Sequence, residues 1–132
     1  MKLDPDCLYS EEHEWLRVEG DEGVVGITDY AQDQLSDIVY VELPEEGDTF
    51  SAGDVFAVVE SVKAASDVYI PVTCEVVEIN TTLEDSPELV NEDPFGEAWF
   101  ARVALSEPSE LDDLLDAAAY QAFEDKEIAA GH

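Results

Sequence analysis

One lysine lies between two apolar runs in the stretch that decides the fold, Val58-Val59-Glu60-Ser61-Val62-Lys63-Ala64-Ala65-Ser66-Asp67-Val68. Residues 54–59 predict a strand buried on both faces, and residues 68–72 predict a second strand rich in β-branched and aromatic side chains. Lys63 is therefore expected in a short connection between two strands. Because an ammonium group is costly to bury without a partner, Lys63 should project from the end of a hairpin into water, where its amine is available for acylation.

The spacing alone leaves a second interpretation of Lys63 open. The connection lacks the Asn-Gly or Asp-Gly pair that makes a two-residue hairpin secure, so the residue could equally be an ordinary solvated surface lysine. A basic residue in the middle of this chain nevertheless calls for an explanation, because the chain has only 5 Lys and Arg against 34 Asp and Glu.

The formal net charge of −29 limits what the chain can bind. A nucleic-acid-binding surface needs clustered bases, so this class is excluded, and anionic membranes should also repel the protein. A hydrophobic content of 45% together with repeated strand patterns indicates a packed core and not a disordered chain. The acids are scattered from Asp4 to Glu127, which favours the evenly charged surface of a halophile over a single acidic docking face for a basic partner.

The length predicts a single domain spanning residues 1–132, and we expect a monomer. The sequence has no run of about 18 apolar residues and no apolar region of the signal-peptide type at its start, so we expect a cytoplasmic protein. Cys7 and Cys74 could form one disulfide, but two cysteines without a secretion signal are more often reduced thiols. With His13 and His132 as the only histidines, the spacing of a zinc site is absent.

The N-terminal half predicts a hairpin, a short helix and a further strand. Residues 14–19 and 24–27 predict the hairpin, with a turn at 20–23. Thr28 offers an N-cap hydroxyl for a helix over 29–35, and residues 38–43 predict the next strand.

The C-terminal half predicts two further strands, over 75–80 and 99–105, separated by a loop with one helical turn at 87–90. Ser109 resembles the first residue of a capping box, and a restart at Asp116 would divide the C-terminal segment into two short helices. An apolar stripe on these helices should pack on the sheet in preference to forming a partner-binding groove, and residues after Lys126 should fray. The stripe consists of Leu111, Leu114, Leu115 and Ala118.

The chain offers no set of residues that predicts catalysis. It has no Gly-rich phosphate loop, and spacing supports neither a Ser-His-Asp nor a Cys-His arrangement. His13 is more simply a residue that caps or packs near Trp15 than a general base. We therefore expect a protein that is not an enzyme.

The hairpin residues Glu60-Ser61-Val62-Lys63-Ala64, followed by Ser66-Asp67, resemble the lipoylation site of the glycine cleavage system H proteins. Other signature stretches of that family are matched in order, and the resemblance spans about residues 9–120. They are Tyr9-Ser10-Glu11-Glu12-His13-Glu14-Trp15, Gly26-Ile27-Thr28-Asp29-Tyr30-Ala31-Gln32, Val41-Glu42-Leu43-Pro44 and Asn91-Glu92-Asp93-Pro94. The resemblance implies a mainly β fold, a lipoyl/biotinyl-type barrel-sandwich hybrid of two small antiparallel sheets with a short helix in the N-terminal half and C-terminal helices.

The resemblance also implies a carrier of covalently bound lipoate. Lys63 would bear the lipoyl group, and Glu60, Ser61, Val62 and Ala64 would form its site. The carrier would take an aminomethyl group from the pyridoxal-phosphate glycine decarboxylase (P protein) to the tetrahydrofolate-dependent aminomethyltransferase (T protein). Dihydrolipoyl dehydrogenase (L protein) would then reoxidise the dithiol, and a lipoylating enzyme would attach the group in the first place.

Two acids correspond to the family's positions for an arm-docking cleft, Glu14 on the first strand and Asp67 on the strand that returns from Lys63. Three residues depart from the family pattern. Glu12 stands where many relatives have a small hydroxyl residue, Gln34 where several have His, and Cys74 where Gly is typical. We therefore expect the turn after Pro71 either to be distorted or not to need a positive φ.

Three rival classes remain for a hairpin lysine. A biotin carrier has Met on both sides of the lysine, where this chain has Val62 and Ala64. A lipoyl domain of a 2-oxo-acid dehydrogenase is shorter and typically has an acid immediately before the lysine. A β-sandwich that is not a carrier would leave Lys63 unmodified. The intact mass of protein made in a lipoylating host separates these classes.

Overall fold

The computed structural model describes residues 2–130, so His132 lies outside the described residues. Within that range the chain forms nine strands. They are β1 (Leu8–Tyr9), β2 (Glu14–Glu19), β3 (Glu22–Ile27), β4 (Ile38–Glu42), β5 (Thr49–Phe50), β6 (Val55–Ser61), β7 (Ala65–Tyr69), β8 (Cys74–Ile79) and β9 (Ala101–Leu105). The helices are α1 (Asp29–Leu35), α2 (Thr82–Asp85), α3 (Leu89–Glu92), a 3-10 helix (Pro108–Asp113) and α4 (Ala117–Ala130).

The strands form two antiparallel sheets. The larger has the order β1-β2-β3-β9-β8-β5, and the smaller has the order β4-β6-β7. Alternate side chains of both sheets point into one shared core, for example Leu16 and Val103 from the larger sheet and Val41, Val59 and Val68 from the smaller. Burying these apolar side chains against each other is what holds the two sheets together.

A second cluster packs between the larger sheet and the C-terminal helix α4. The rings of Tyr9 and Tyr120 stack at a centroid distance of 4.5 Å. Trp15 is fully buried, its Nε1 donates to the carbonyl of Pro94 at 2.9 Å, and Arg17 lies 4.9 Å from the ring centroid. The cluster therefore fixes α4 on β1 and β2.

The predicted helix over 29–35 and its cap are confirmed. The hydroxyl of Thr28 accepts from the amide of Ala31 at 3.2 Å, as expected for an N-cap. The first hairpin is tighter than predicted, because β3 already begins at Glu22 and only Gly20 and Asp21 form the turn. Gly20 has a φ of 65°, a conformation that favours glycine.

The predictions for the central hairpin need two corrections. The predicted strand over 54–59 is not buried on both faces, since Val55 is 42% exposed and Val58 is only half-buried on the outer side of the smaller sheet. Strand β7 spans Ala65–Tyr69 and not 68–72. Ile70 and Val72 are apolar because they enter the shared core from the connection after β7.

The loop before β9 contains two helical turns, α2 and α3, where the sequence predicted one. The predicted capping box at Ser109 is wrong. The segment is a 3-10 helix that begins at Pro108, and its preceding residue makes no side-chain cap bond.

The predicted restart at Asp116 is confirmed, because its Oδ1 accepts from the amide of Ala119 at 2.8 Å where α4 begins. The predicted fraying after Lys126 is wrong within the described residues, since α4 continues to Ala130. The Oε1 of Glu127 lies 3.5 Å from the His13 Nε2, which helps to hold this last turn.

Both cysteines are free thiols that behave as small buried apolar side chains. Cys7 belongs to the cluster under α4 and Cys74 to the shared core, and burial raises the pKa of each thiol to about 12. Cys74 begins strand β8 and does not lie in a distorted turn. Over residues 2–130 no helix is long and apolar enough to cross a membrane.

Candidate functional site

Lys63 lies at the tip of the β6–β7 hairpin, where a serine side chain closes the turn. The amide of Ser61 donates to the carbonyl of Ala64 at 2.8 Å. The Ser61 Oγ accepts from the amides of Lys63 at 3.1 Å and Ala64 at 3.2 Å. These bonds give the backbone amides of the turn their hydrogen-bond partners, because a serine hydroxyl can replace a backbone carbonyl. The turn therefore forms without the Asn-Gly or Asp-Gly pair that the sequence lacks.

The amine of Lys63 is available to a reacting molecule. The side chains of Val62, Lys63 and Ala64 are exposed, and Val62 is 64% accessible in spite of its apolar character. Among the ion pairs formed by residues 2–130, none involves Lys63. The ammonium group at the hairpin tip is therefore exposed without a carboxylate partner among the described residues.

The hairpin tip rests on the connection between α1 and β4. The amide of Val62 donates to the carbonyl of Asp37 at 3.0 Å, and Ile38 lies opposite Ser61 in the β4–β6 ladder. The register shifts between Ile38 and Tyr40, which is a bulge in β4 next to the turn. Asp37 and Ile38 are therefore the attachment of the tip to the rest of the smaller sheet.

Glu60 and Asp67 lie on the outer face of the smaller sheet. Glu60 is opposite Tyr40 on one side and Ala65 on the other, and Asp67 is opposite Val58 two residue pairs further along the β6–β7 ladder. Both acidic side chains are exposed. The sheet thus presents a hairpin lysine at its end and carboxylates along its outer face.

Glu14 occupies a different environment, because it is buried between the two sheets with only 3% of its surface exposed. Its Oε1 accepts from the Ser10 hydroxyl at 2.6 Å, and its Oε2 accepts from the Tyr69 amide at 3.4 Å. Burial is the main reason that the pKa of this carboxyl rises to about 8. At neutral pH Glu14 is therefore largely protonated.

The structure brings one of the two predicted docking acids to the strand that returns from Lys63. Glu14 reaches the backbone of β7 at Tyr69, two residues beyond Asp67. Asp67 itself is exposed on the outer face. Their role in a docking cleft stays a prediction.

The prediction that His13 packs near Trp15 is wrong. Its ring lies 4.6 Å from the Tyr30 ring, and its Nδ1 is 2.7 Å from the Tyr120 hydroxyl. The physical reason is its φ of 69°, which points the backbone away from the regular strand that begins at Glu14. His13 therefore joins β2, α1 and α4.

Two residues that support the hairpin, Asp37 and Asn91, were not predicted to have a role in the site. Asn91 belongs to a quoted signature stretch, but its hydrogen-bond partners are more than 50 residues away in the chain, so no local pattern could identify them. Asp37 acts through its backbone carbonyl, which the side-chain type does not encode.

Comparison with known proteins identifies the family to which this hairpin belongs. The family model described as glycine cleavage H-protein matches residues 7–127. This chain belongs to the glycine cleavage H-protein family. The matched range includes both sheets and the hairpin that carries Lys63.

Relatives named glycine cleavage system H protein are similar over nearly their whole length. That of Symbiobacterium thermophilum is 61% identical over 118 residues, which cover 89% of this chain and 92% of the relative. That of Thermus thermophilus is 55% identical over 121 residues, which cover 92% of this chain and 94% of the relative.

A solved structure agrees with the H-protein fold described above. The crystal structure of a glycine cleavage system H protein from Mycobacterium marinum matches with a TM-score of 0.80 at 37% sequence identity, covering 91% of this chain and 97% of that chain. The predicted fold class, a mainly β lipoyl/biotinyl-type hybrid of two antiparallel sheets with few helices, is confirmed.

Proposed function

We propose that this member of the H-protein family carries a lipoyl group on Lys63 and works as a carrier in the glycine cleavage system. The observation that supports the proposal most directly is the exposed, unpaired amine at a hairpin tip whose backbone is fixed by Ser61. Val62 and Ala64 flank it where a biotin carrier would have Met.

The residues around Lys63 fit a group attached through an amide. Acylation removes the positive charge of the amine, and the hairpin loses no ion pair within residues 2–130 when this happens. Ser61 holds the turn through the backbone, so the lysine side chain can change without altering the turn. Exposed Val62 and Ala64 leave room for an enzyme at the tip, and Glu60 lies at its base.

When bound, the lipoyl group would supply a disulfide that accepts an aminomethyl group. In this proposal the partners are the glycine decarboxylase, the aminomethyltransferase, dihydrolipoyl dehydrogenase and the lipoylating enzyme. The chain contributes presentation and not catalysis: it holds one lysine on a rigid tip so that each enzyme can reach it in turn. Residues 1–132 would act as one monomeric carrier domain in the cytoplasm.

We include Glu14 and Asp67 in the proposal as docking acids for the loaded arm. Glu14 is a buried carboxyl at the edge of β7, where its proton could be shared with an amine, and Asp67 is on the same strand. Loaded Glu14→Gln and Asp67→Asn proteins should lose formaldehyde and ammonia faster than the parent. If both retain the aminomethyl group as long as the parent does, these residues have no docking role.

The experiment that tests the carrier function is an intact-mass measurement on protein made in a lipoylating host. The parent should show one lipoyl adduct, mapped to Lys63 by peptide analysis. Lys63→Arg should show none and keep its stability within about 0.5 kcal/mol, because arginine preserves the charge at an exposed site. Lys126→Arg, at an exposed lysine on α4, is the matched control that should remain lipoylated. An adduct on Lys63→Arg would overturn the assignment.

A further inference from the structure

The side chain of Asn91 binds the segment 32–38, which contains the end of α1, the connection after it and the first residue of β4. Its Oδ1 accepts from the amide of Ile38 at 2.9 Å. Its Nδ2 donates to the carbonyl of Ser36 and to the Gln32 Oε1, each at 2.9 Å. A side-chain amide has two donor hydrogens and one acceptor oxygen, so Asn91 directs every polar group it has at one short segment.

That segment needs support because its backbone is unusual. Ser36 ends α1 with a φ of 67°, in the left-handed region that residues other than glycine rarely adopt. Such a conformation persists only where surrounding contacts determine it. The bond from Asn91 to the Ser36 carbonyl is such a contact, and it sets the direction in which the chain leaves the helix.

The lysine hairpin is attached to the same segment. Asp37, between two residues that Asn91 binds, accepts from the amide of Val62 next to Lys63. Ile38 lies opposite Ser61, and the ladder is then interrupted by the bulge before Tyr40. A shift of residues 36–38 would therefore move the turn.

We propose that Asn91 is a positioning residue for lipoyl attachment at Lys63: by fixing residues 36–38 it fixes the turn that presents the amine. The proposal rests on the carrier function proposed above. Asn91 does not touch Lys63, so it acts through the backbone of Asp37 and Val62. Its loss should leave the fold intact and loosen the hairpin tip.

The chain offers a matched control in Asn80. This side chain is buried, whereas Asn91 is half-buried, and the Nδ2 of Asn80 donates to two backbone carbonyls, those of Glu97 and Trp99, each at 2.8 Å. It follows strand β8 in the larger sheet and has no bond to the hairpin or to residues 36–38. Asn80→Ala therefore removes comparable hydrogen bonds elsewhere in the protein.

The test compares the parent, Asn91→Ala and Asn80→Ala by two measurements. Hydrogen exchange followed by NMR reports the protection of the Val62 amide, and steady-state kinetics with the lipoylating enzyme reports kcat/KM for Lys63. In Asn91→Ala we expect Val62 to exchange about tenfold faster, because local opening becomes easier. We expect kcat/KM to fall about tenfold, because a misplaced reacting group lowers the rate. Asn80→Ala should change neither quantity beyond its effect on global stability.

Asn91→Asp is the second variant, for use if Asn91→Ala does not fold. It keeps the shape and the acceptor oxygen but loses both donors, so it should shift both measurements in the same direction. Equal effects of the Asn91 and Asn80 variants would overturn the positioning role. If the parent is not lipoylated at Lys63, the proposed function fails, and the exchange of Val62 still decides whether Asn91 positions the turn.

Discussion

Glu14 is the residue whose protonation couples most directly to folding. Burial raises the pKa of its carboxyl from the ordinary 4.5 to about 8. The folded chain therefore keeps this proton to about pH 8, whereas the unfolded chain releases it near pH 4.5. Between these values the folded state binds more protons, so the contribution of Glu14 to stability falls as the pH rises.

Glu14→Gln should remove this dependence, because glutamine has a similar shape and cannot ionise. We therefore compare the free energies of unfolding of the variant and the parent, measured with urea. The value for the variant minus that for the parent should increase by on the order of 1–3 kcal/mol from about pH 5 to about pH 8.5. His13 titrates in the opposite sense, since burial lowers its pKa, but both proteins contain it and its effect cancels. Exposed Glu11→Gln is the control with no expected change. The same difference at both pH values would contradict the prediction.

At the residue scale, the sequence predicted the placement of residues that are costly to bury. It missed the hydrogen bonds that depend on partners far away in the chain. Lys63 was placed correctly in a turn, because a lone ammonium between two apolar runs has few other places to go. Ser61 was included by resemblance, but the bonds from its hydroxyl could not be seen until the turn was in place. Asn91 depends on partners that come together only when the two halves of the chain pack.

A buried phenol contributes to the contacts that hold helix α4 on the larger sheet. The hydroxyl of Tyr120 is 2.7 Å from the His13 Nδ1 and 2.9 Å from the Thr28 Oγ1, and Tyr120 is fully buried. Tyr120→Phe leaves both partners without this hydroxyl, so the free energy of unfolding should fall by about 1–2 kcal/mol. Tyr40→Phe, at a hydroxyl on an exposed ring, should change it by less than about 0.5 kcal/mol.

Chemical denaturation of both variants measures this difference, and helical circular dichroism shows whether α4 remains folded. A Tyr120→Phe protein as stable as the Tyr40→Phe protein would mean that the stacked ring, and not the hydroxyl, holds the helix.

At the element scale the short α1 helix was predictable because its cap is local, whereas the C-terminal segment was not. Ser109 has the residue types of a capping box, but Glu110 is used elsewhere. Its two oxygens accept from the amide and the hydroxyl of Thr73, each at 2.7 Å. This contact over 37 residues of chain ties the segment to the connection before β8 and favours a tighter 3-10 turn. A local sequence pattern cannot show that Glu110 binds Thr73 and does not take part in a capping box.

The charge of the whole molecule is balanced at few places. Arg102 lies within 4 Å of three carboxylates on the larger sheet, with Nη1 2.7 Å from Glu19 and 3.6 Å from Glu22, and Nε 3.8 Å from Glu78. A chain with 34 acids and 5 Lys and Arg cannot repeat this arrangement often. Composition therefore predicted the charged surface, and the apolar runs predicted most of the strands, because both depend on residue type more than on long-range pairing. The arrangement of the strands in two sheets was predicted only by the resemblance to the H-protein family.

Repulsion among these acids should make the stability of the protein depend on salt. Raising KCl from dilute buffer to about 1 M shortens the screening length from tens of ångströms to about 3 Å, so the folded state should gain on the order of 1 kcal/mol or more. For a domain of this size that corresponds to a rise in Tm of about 3–8 °C, measured by thermal melts across the series. Asp112→Asn combined with Asp113→Asn removes two neighbouring exposed charges and should reduce the rise. A flat or falling Tm, or the same rise in the neutralised variant, would mean that repulsion among these acids does not limit the stability of the protein.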